Sequence, residues 1–163
     1  YITTGDATDR EIAQQLTSLG GKILRLNDDG TIPDDNPFVG QTNARPEIWS
    51  YGHRNPQGID FQPGTGTLFE TEHGPSGFDG PGGGDEVNLV EAGKNYGWPL
   101  VHHRDSRPGM VSSLLEYTPA VAPSGASQPT TPAVNIIRLG AGQSVLHFPV
   151  LPGSDLGAAL GRA

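Results

Sequence analysis

Glycine and proline divide this chain into short segments, and their placement restricts the fold more than any other feature of the sequence. The 163 residues include 24 Gly and 15 Pro, about twice the average share of each in globular proteins. Many of them stand between short apolar runs, at tight-turn sequences such as Asp29-Gly30 and Pro63-Gly64-Thr65-Gly66. Short segments joined by tight turns are typical of an all-β protein with antiparallel strands.

Five segments have the composition and the flanking turns of β-strands: residues 22–27, 47–51, 58–62, 67–72 and 86–90. The strongest local signal is a hairpin, in which Ile59-Asp60-Phe61 and Leu68-Phe69-Glu70 flank a Pro-Gly-Thr-Gly turn. The first four residues are also β-rich and are predicted to be the end of a strand.

Two segments depart from this β pattern. Residues 9–16 are predicted to form one short helical segment with Asp9 as its N-cap, ending at Gly20-Gly21. Residues 119–132 are rich in Ala, Pro, Ser and Thr, which predicts a long surface loop or a local boundary.

Charge and cysteine content exclude several classes of function. The formal net charge is -8, which disfavours binding to nucleic acid and to anionic membranes because both require a basic surface. The chain has no cysteine, so disulfides and cysteine-ligated metal sites are ruled out. No stretch approaches the ~20 apolar residues of a membrane span. The acidity either keeps the protein soluble or suits the binding of calcium.

Three motifs in order carry a family resemblance. The motifs are Gly52-His53-Arg54-Asn55-Pro56-Gln57-Gly58, Glu72-His73-Gly74-Pro75, and Gly84-Asp85-Glu86-Val87-Asn88 leading to Gly93-Lys94-Asn95-Tyr96-Gly97-Trp98-Pro99. Together with the start of the chain and with Gly21-Lys22-Ile23-Leu24-Arg25-Leu26, they strongly resemble the soluble PQQ-dependent sugar dehydrogenases of the glucose/sorbosone dehydrogenase family. The resemblance covers residues 1–125, and residues 126–163 are interpreted as a divergent continuation of the same domain.

The resemblance implies a fold and an activity. It implies a six-bladed β-propeller with four-stranded antiparallel blades, of which this chain would supply only a part. It also implies oxidation of aldose sugars at C1, with hydride transfer to PQQ and with calcium polarising the quinone. The expected partners are a small sugar substrate and an artificial or respiratory electron acceptor. The expected location is the periplasm or the outside of the cell.

Arg54 and Asn55 are the residues that the resemblance assigns to PQQ binding. PQQ is a planar polyanion, and a buried guanidinium with an amide donor beside it suits such a ligand. The alternative is purely structural, in which Arg54 caps a turn by bonding to carbonyl groups.

Four residues are assigned to calcium by the same resemblance. The carbonyls of Gly74 and Pro75 would bind the calcium beneath the quinone, whereas Glu86 and the carbonyl of Tyr96 would bind a second, structural calcium. Calcium takes oxygen ligands of these types. The alternatives are an ordinary Gly-Pro turn and a solvated pair of acidic residues.

No residue of this chain is assigned as the catalytic base. The family's base precedes the position of Tyr1, so His53 and His73 are not given that role although both lie beside the motifs. His102 and His103 are expected at the surface, and Trp98 is expected to be a packing residue. Without the base and the later cofactor contacts, the chain by itself is predicted to be inactive.

Two other classes of protein fit some of these residues. A catalytically silent propeller of the Hedgehog-interacting type would share the scaffold, but would not need to keep both Arg54-Asn55 and Gly74-Pro75. A purely structural calcium module would explain Glu86 and Tyr96 but leave Arg54-Asn55 without a role. Residues 76–84 form a longer link between the second and third motifs than is usual, and this link would reshape or cover the cofactor rim.

Overall fold

The computed structural model describes residues 1–127, 135–139 and 145–148, and in this part of the chain the structure is all-β with antiparallel sheets. The strands are β1 (Ile2–Thr4), β2 (Lys22–Leu24), β3 (Ile48–Tyr51), β4 (Pro56–Phe61), β5 (Leu68–Glu72), β6 (Asp85–Val90), β7 (Leu115–Tyr117), β8 (Pro123–Ser127), β9 (Asn135–Leu139) and β10 (Val145–Phe148). The predicted fold class is therefore confirmed.

The strands form three sheets that follow one another along the chain. The first has the order β1-β2-β3, the central one β4-β5-β6-β7 and the third β10-β9-β8. The central sheet has the four strands expected of a propeller blade, and the described parts of its neighbours have three each. Both β1 and β8 pack against β4, so the central sheet lies between the other two.

The predicted hairpin is present with the expected register. Ile59 lies opposite Glu70, and Phe61 lies opposite Leu68. Side chains alternate between the two faces of a strand. Leu68, Glu70 and Glu72 therefore share one face of β5, while Phe69 and Thr71 lie on the other.

Each face of the central sheet has its own apolar core. Leu68 and Val90 pack with Ile23 of the first sheet, whereas Phe69 and Val87 pack with residues of β7 and of the segments beside it. A sheet buried on both faces is what a blade between two other blades requires.

The short helical segment is present, but as a 3-10 helix over Arg10–Gln14. Its predicted N-cap, Asp9, makes no side-chain capping hydrogen bond. Its last turn is held instead by Lys22, whose buried Nζ donates to the carbonyls of Ile12, Ala13 and Gly20 at 2.8, 3.0 and 2.7 Å. In the described part of the chain, no helix is long and apolar enough to cross a membrane.

The prediction of a loop over residues 119–132 is wrong for its middle, because β8 occupies Pro123–Ser127; residues 128–132 lie outside the described residues. Gly58 explains how this strand packs on β4. A Cβ atom at Gly58 would lie 2.3 Å from the backbone nitrogen of Ala126, so the close approach of the two strands requires glycine at this position.

Candidate functional site

The three motifs meet at one end of the central sheet. Arg54 and Asn55 directly precede β4, while Gly74 and Pro75 closely follow β5 and Glu86 lies near the start of β6. Because β5 is antiparallel to both neighbours, the start of β4, the end of β5 and the start of β6 lie at the same end of the sheet.

A cleft at this end of the sheet is lined by five of the six predicted site residues. Asn55 is outside this set and lies beside it, with its side-chain oxygen accepting a hydrogen bond from Gln57. The lining residues are Arg54, Glu72, His73, Gly74, Pro75, Gly84, Glu86, Tyr96, Trp98, Val101 and His102.

Arg54 is mostly buried and makes three side-chain hydrogen bonds. Its Nε donates to Asp79 Oδ2 at 2.7 Å, and its two terminal nitrogens donate to the carbonyl of His73 at 3.2 Å and to Ser76 Oγ at 2.8 Å. The guanidinium also lies 5.7 Å from the centre of the Trp98 ring. The bond to a carbonyl matches the structural alternative for Arg54, and the bonds to Asp79 and Ser76 bring residues 76–84 to the rim of the cleft.

Asp79 was not recognised from the sequence, although the unusual length of its loop was. Partial burial raises the pKa of Asp79, but the hydrogen bonds from Arg54 and from the Ser76 backbone outweigh that effect and leave this pKa below its ordinary value. Asp79 is therefore ionised at neutral pH and pairs with Arg54.

The Gly74-Pro75 turn is fixed by Asp85. The backbone nitrogen of Gly74 donates to Asp85 Oδ1 at 2.9 Å, and Asp85 Oδ2 accepts from the nitrogens of Val121 and Ala122 at 2.8 and 2.7 Å. A Cβ atom at Gly74 would lie 2.2 Å from the carbonyl oxygen of Gly83. Only glycine fits there, and the hydrogen bond to Asp85 holds its backbone in place, which suits a backbone ligand for calcium.

Glu72 is a second residue that the sequence reasoning missed. Its Oε2 accepts hydrogen bonds from the backbone nitrogens of Arg54 and Asn55 at 2.8 and 3.3 Å, so it orients the Arg54-Asn55 corner. The available signal was a strand with two glutamates on one face, at 70 and 72, directly before a Gly-Pro motif.

Glu86 and Tyr96 both line the cleft but are held differently. Glu86 lies opposite Glu72 in the strand pairing, and burial together with the charge of Glu72 raises its pKa well above the ordinary value. The Tyr96 hydroxyl donates to the carbonyl of Leu89 at 2.5 Å, and its ring stacks on His53 at 4.6 Å. Neighbouring carboxylates at the wall of a cleft are a donor set that fits a hard cation such as calcium.

The histidines agree in part with expectation. His53 is 0% exposed and is not among the residues that line the cleft, whereas His73 lines it and contacts the carbonyl of Pro123 at 2.9 Å. His102 was expected at the surface, but it is half-buried and lines the cleft. Trp98 is buried, and its indole nitrogen donates to Asp6 at 2.8 Å, so its predicted packing role is confirmed.

Comparison with known proteins shows which family the chain resembles. The profile of the glucose/sorbosone dehydrogenase family matches residues 1–134. The aldose sugar dehydrogenase YliI of Escherichia coli K12 is 52% identical over 100 residues, which are 61% of this chain and 25% of YliI.

Two solved structures resemble the chain over most of its length. A Thermus thermophilus protein described as a putative glucose dehydrogenase has a TM-score of 0.84 at 43% identity, covering 94% of this chain and 46% of that one. The PQQ-bound aldose sugar dehydrogenase of Streptomyces coelicolor has a TM-score of 0.75 at 30% identity, covering 90% of this chain and 40% of that one. The chain thus spans about a quarter of the YliI sequence and less than half of either solved chain.

Proposed function

This chain belongs to the glucose/sorbosone dehydrogenase family, and we propose that it is part of an enzyme that oxidises aldose sugars at C1 with PQQ and calcium. The observation that carries the proposal is the cleft, because it gathers Arg54, Gly74, Pro75, Glu86 and Tyr96 from separate motifs. A protein that used this scaffold only for binding partners would have no need to bring these groups together. The PQQ-bound relative supports the choice of cofactor.

Arg54 and Asn55 are proposed to bind PQQ. When bound, PQQ supplies an ortho-quinone that accepts hydride, and calcium supplies the charge that polarises it. A guanidinium has five N–H donors, and three of those on Arg54 are used in the described contacts. Arg54 can therefore bind an anionic ligand without releasing Asp79, and Trp98 below it limits how far it can move.

Calcium is proposed to bind at two places in the same cleft. The carbonyls of Gly74 and Pro75 would hold the ion beneath the quinone, and the fixed position of Gly74 against Asp85 supports this role. Glu86 and the carbonyl of Tyr96 would hold the second ion. The positive charge of this ion would offset the unfavourable placement of the Glu86 carboxylate beside that of Glu72.

The proposal leaves the catalytic base outside this chain. His53 is buried and stacked on Tyr96, which supports not assigning it as the base. Because no residue of this chain is proposed as the base, we propose that the chain alone does not turn over sugar. We also propose that residues 126–163 continue the same domain. The proposal also includes an aldose as the substrate, an artificial or respiratory electron acceptor and a periplasmic or secreted location. All three are inferred from family membership.

The test uses the whole protein in which this chain occurs, supplied with PQQ and calcium. We expect sugar-dependent reduction of a dye, and we expect Arg54→Gln to lower kcat/KM at least about tenfold, because losing a charge-assisted hydrogen bond costs about 1.5–3 kcal/mol. Arg107→Gln is the matched control, since Arg107 is exposed. A folded protein that reduces no dye with any aldose would refute the proposal and favour the silent propeller.

A further inference from the structure

A buried polar cluster lies behind the cleft, on the face of the central sheet that packs against the first sheet. Glu70 and Glu72 come from β5, and His53 comes from the segment between β3 and β4. One nitrogen or oxygen atom of each lies within 4.8 Å of the others. Glu70 and His53 are 0% exposed and Glu72 is 4% exposed.

The two carboxyl groups of the cluster have no lysine or arginine partner among the described residues. Glu72 lies near the imidazole of His53. Two carboxylates in so dry a place require a proton or a cation beside them.

Two atoms of the cluster have no hydrogen-bond partner among the described residues, His53 Nδ1 and Glu70 Oε1. The other ring nitrogen of His53, Nε2, lies 2.9 Å from Ser50 Oγ. With its proton on Nε2, His53 donates to Ser50 and presents an unshared electron pair from Nδ1. Histidines that bind metals are typically held in this way, through the nitrogen that does not face the metal.

The distance between His53 and Glu72 excludes a direct hydrogen bond and is close to that between two ligands of one ion. His53 Nδ1 lies 3.6 Å from Glu72 Oε1, which is too long for a hydrogen bond. Two ligands bound at about 2.1 Å to one tetrahedral ion are about 3.4 Å apart. A shift of a few tenths of an ångström would therefore bring the two atoms onto one ion.

We propose that His53, Glu70 and Glu72 form a buried binding site for a divalent transition-metal ion, with Zn²⁺ as the best match to the donors. An imidazole nitrogen with carboxylate oxygens is a typical zinc set, whereas calcium takes oxygen ligands. Asn88 Nδ2 donates to Glu70 Oε2 at 3.0 Å and to Glu72 Oε1 at 3.2 Å and so orients both carboxylates. Glu72 also lines the cleft, so the cluster borders it.

The site uses none of the residues assigned to calcium, but it adjoins one of them, because Glu72 lies opposite Glu86 and Asn88 Nδ2 also donates to Glu86 Oε2 at 3.2 Å. Its test is a titration of Zn²⁺ into the purified, chelator-treated protein, followed by calorimetry, with X-ray absorption of the zinc-loaded sample. We expect one high-affinity zinc per chain with mixed imidazole and carboxylate ligands. We also expect Zn²⁺ to bind more tightly than Ca²⁺ at this site.

Three variants distinguish the site from adventitious binding. Glu70→Gln should lower zinc affinity at least about 100-fold, since removing a group that only orients a metal ligand already costs about 10–100-fold. Glu11→Gln, at an exposed residue, should leave zinc affinity unchanged. Glu86→Gln should lower it by less than about tenfold, because Glu86 is not a proposed ligand.

Loss of folding would not mimic this result. Without metal, Glu70→Gln should be at least as stable to urea as the wild type, because it removes a buried carboxylate while keeping an amide of the same size. At a Zn²⁺ concentration that saturates the wild type, the wild type and Glu11→Gln should gain stability, whereas Glu70→Gln should gain much less. Equal zinc affinity in the wild type and Glu70→Gln, or an absorption spectrum without imidazole, would overturn the proposal.

Discussion

Asp85 joins the proposed calcium turn to the rest of the fold, and replacing it with asparagine tests that connection. Its two carboxylate oxygens accept three backbone hydrogen bonds, from Gly74, Val121 and Ala122, and the residue is 2% exposed. An asparagine side chain has one acceptor oxygen and one NH₂ group. Whichever way the amide is turned, at least one backbone N–H faces a donor.

The size of the effect follows from these contacts. In the better orientation the amide oxygen keeps the bonds from Val121 and Ala122, and the N–H of Gly74 is left buried and unpaired, which costs about 1–3 kcal/mol. The two bonds that remain lose their ionic character and weaken by about 0.5–1 kcal/mol each. We expect Asp85→Asn to lower the free energy of unfolding by about 3 kcal/mol.

Urea unfolding monitored by tryptophan fluorescence measures this loss, and unchanged m values would show that the unfolded state is not the cause. The control is Asp34→Asn at an exposed residue, which should stay within about 0.5 kcal/mol of the wild type. Calcium should also stabilise the Asp85 variant less than the wild type. A loss below about 1 kcal/mol would refute the role given to Asp85.

Three further predictions test other parts of the structure. Asp79→Asn should tighten PQQ binding about fivefold in a fluorescence titration, because it removes a negative charge beside Arg54 that would repel the anionic PQQ by about 1 kcal/mol. Weaker binding in this variant would mean that Asp79 positions Arg54. Gly58→Ala should lower the free energy of unfolding in urea by about 2 kcal/mol, because the added methyl would lie 2.3 Å from a backbone atom of β8. Gly125→Ala is the control, since a Cβ atom there would have no atom within 4 Å, and an equal loss in this variant would contradict the packing given to Gly58. Burial lowers the pKa of Lys22 from 10.5 to about 8, so the folded chain loses this proton at a lower pH than the unfolded chain does. The free energy of unfolding should therefore rise as the pH increases above about 8. Lys22→Met should remove that rise, and a pH profile identical to that of the wild type would count against the shift.

The fold was predictable where local sequence decides it. The hairpin of β4 and β5 has strand-forming residues on both sides of a Pro-Gly-Thr-Gly turn, and its register followed directly. The strand β8 was not predictable, since Pro123, Gly125 and Ala126 have little intrinsic preference for β structure. Its conformation depends on pairing with β9 and on the glycine at position 58.

The site was predictable only as a set of residues. Motif order and family resemblance indicated Arg54, Gly74 and Glu86, but not the contacts around them. The pairing of Arg54 with Asp79 depends on how residues 76–84 fold back onto the rim. The role of Glu72 depends on strand pairing that brings it beside the Arg54 backbone, and no local pattern encodes either contact.

The most direct measurement of the central claim is an equilibrium titration of PQQ into the whole protein, followed by absorbance, with calcium present and after its removal by a chelator. If Arg54 and the Gly74-Pro75 turn hold the quinone and calcium in one cleft, calcium should tighten PQQ binding at least about tenfold, which corresponds to about 1.4 kcal/mol of coupling. Saturable binding that Arg54→Gln weakens would support the same cleft. PQQ affinity that is identical with and without calcium, or a folded protein that binds no PQQ, would contradict the account.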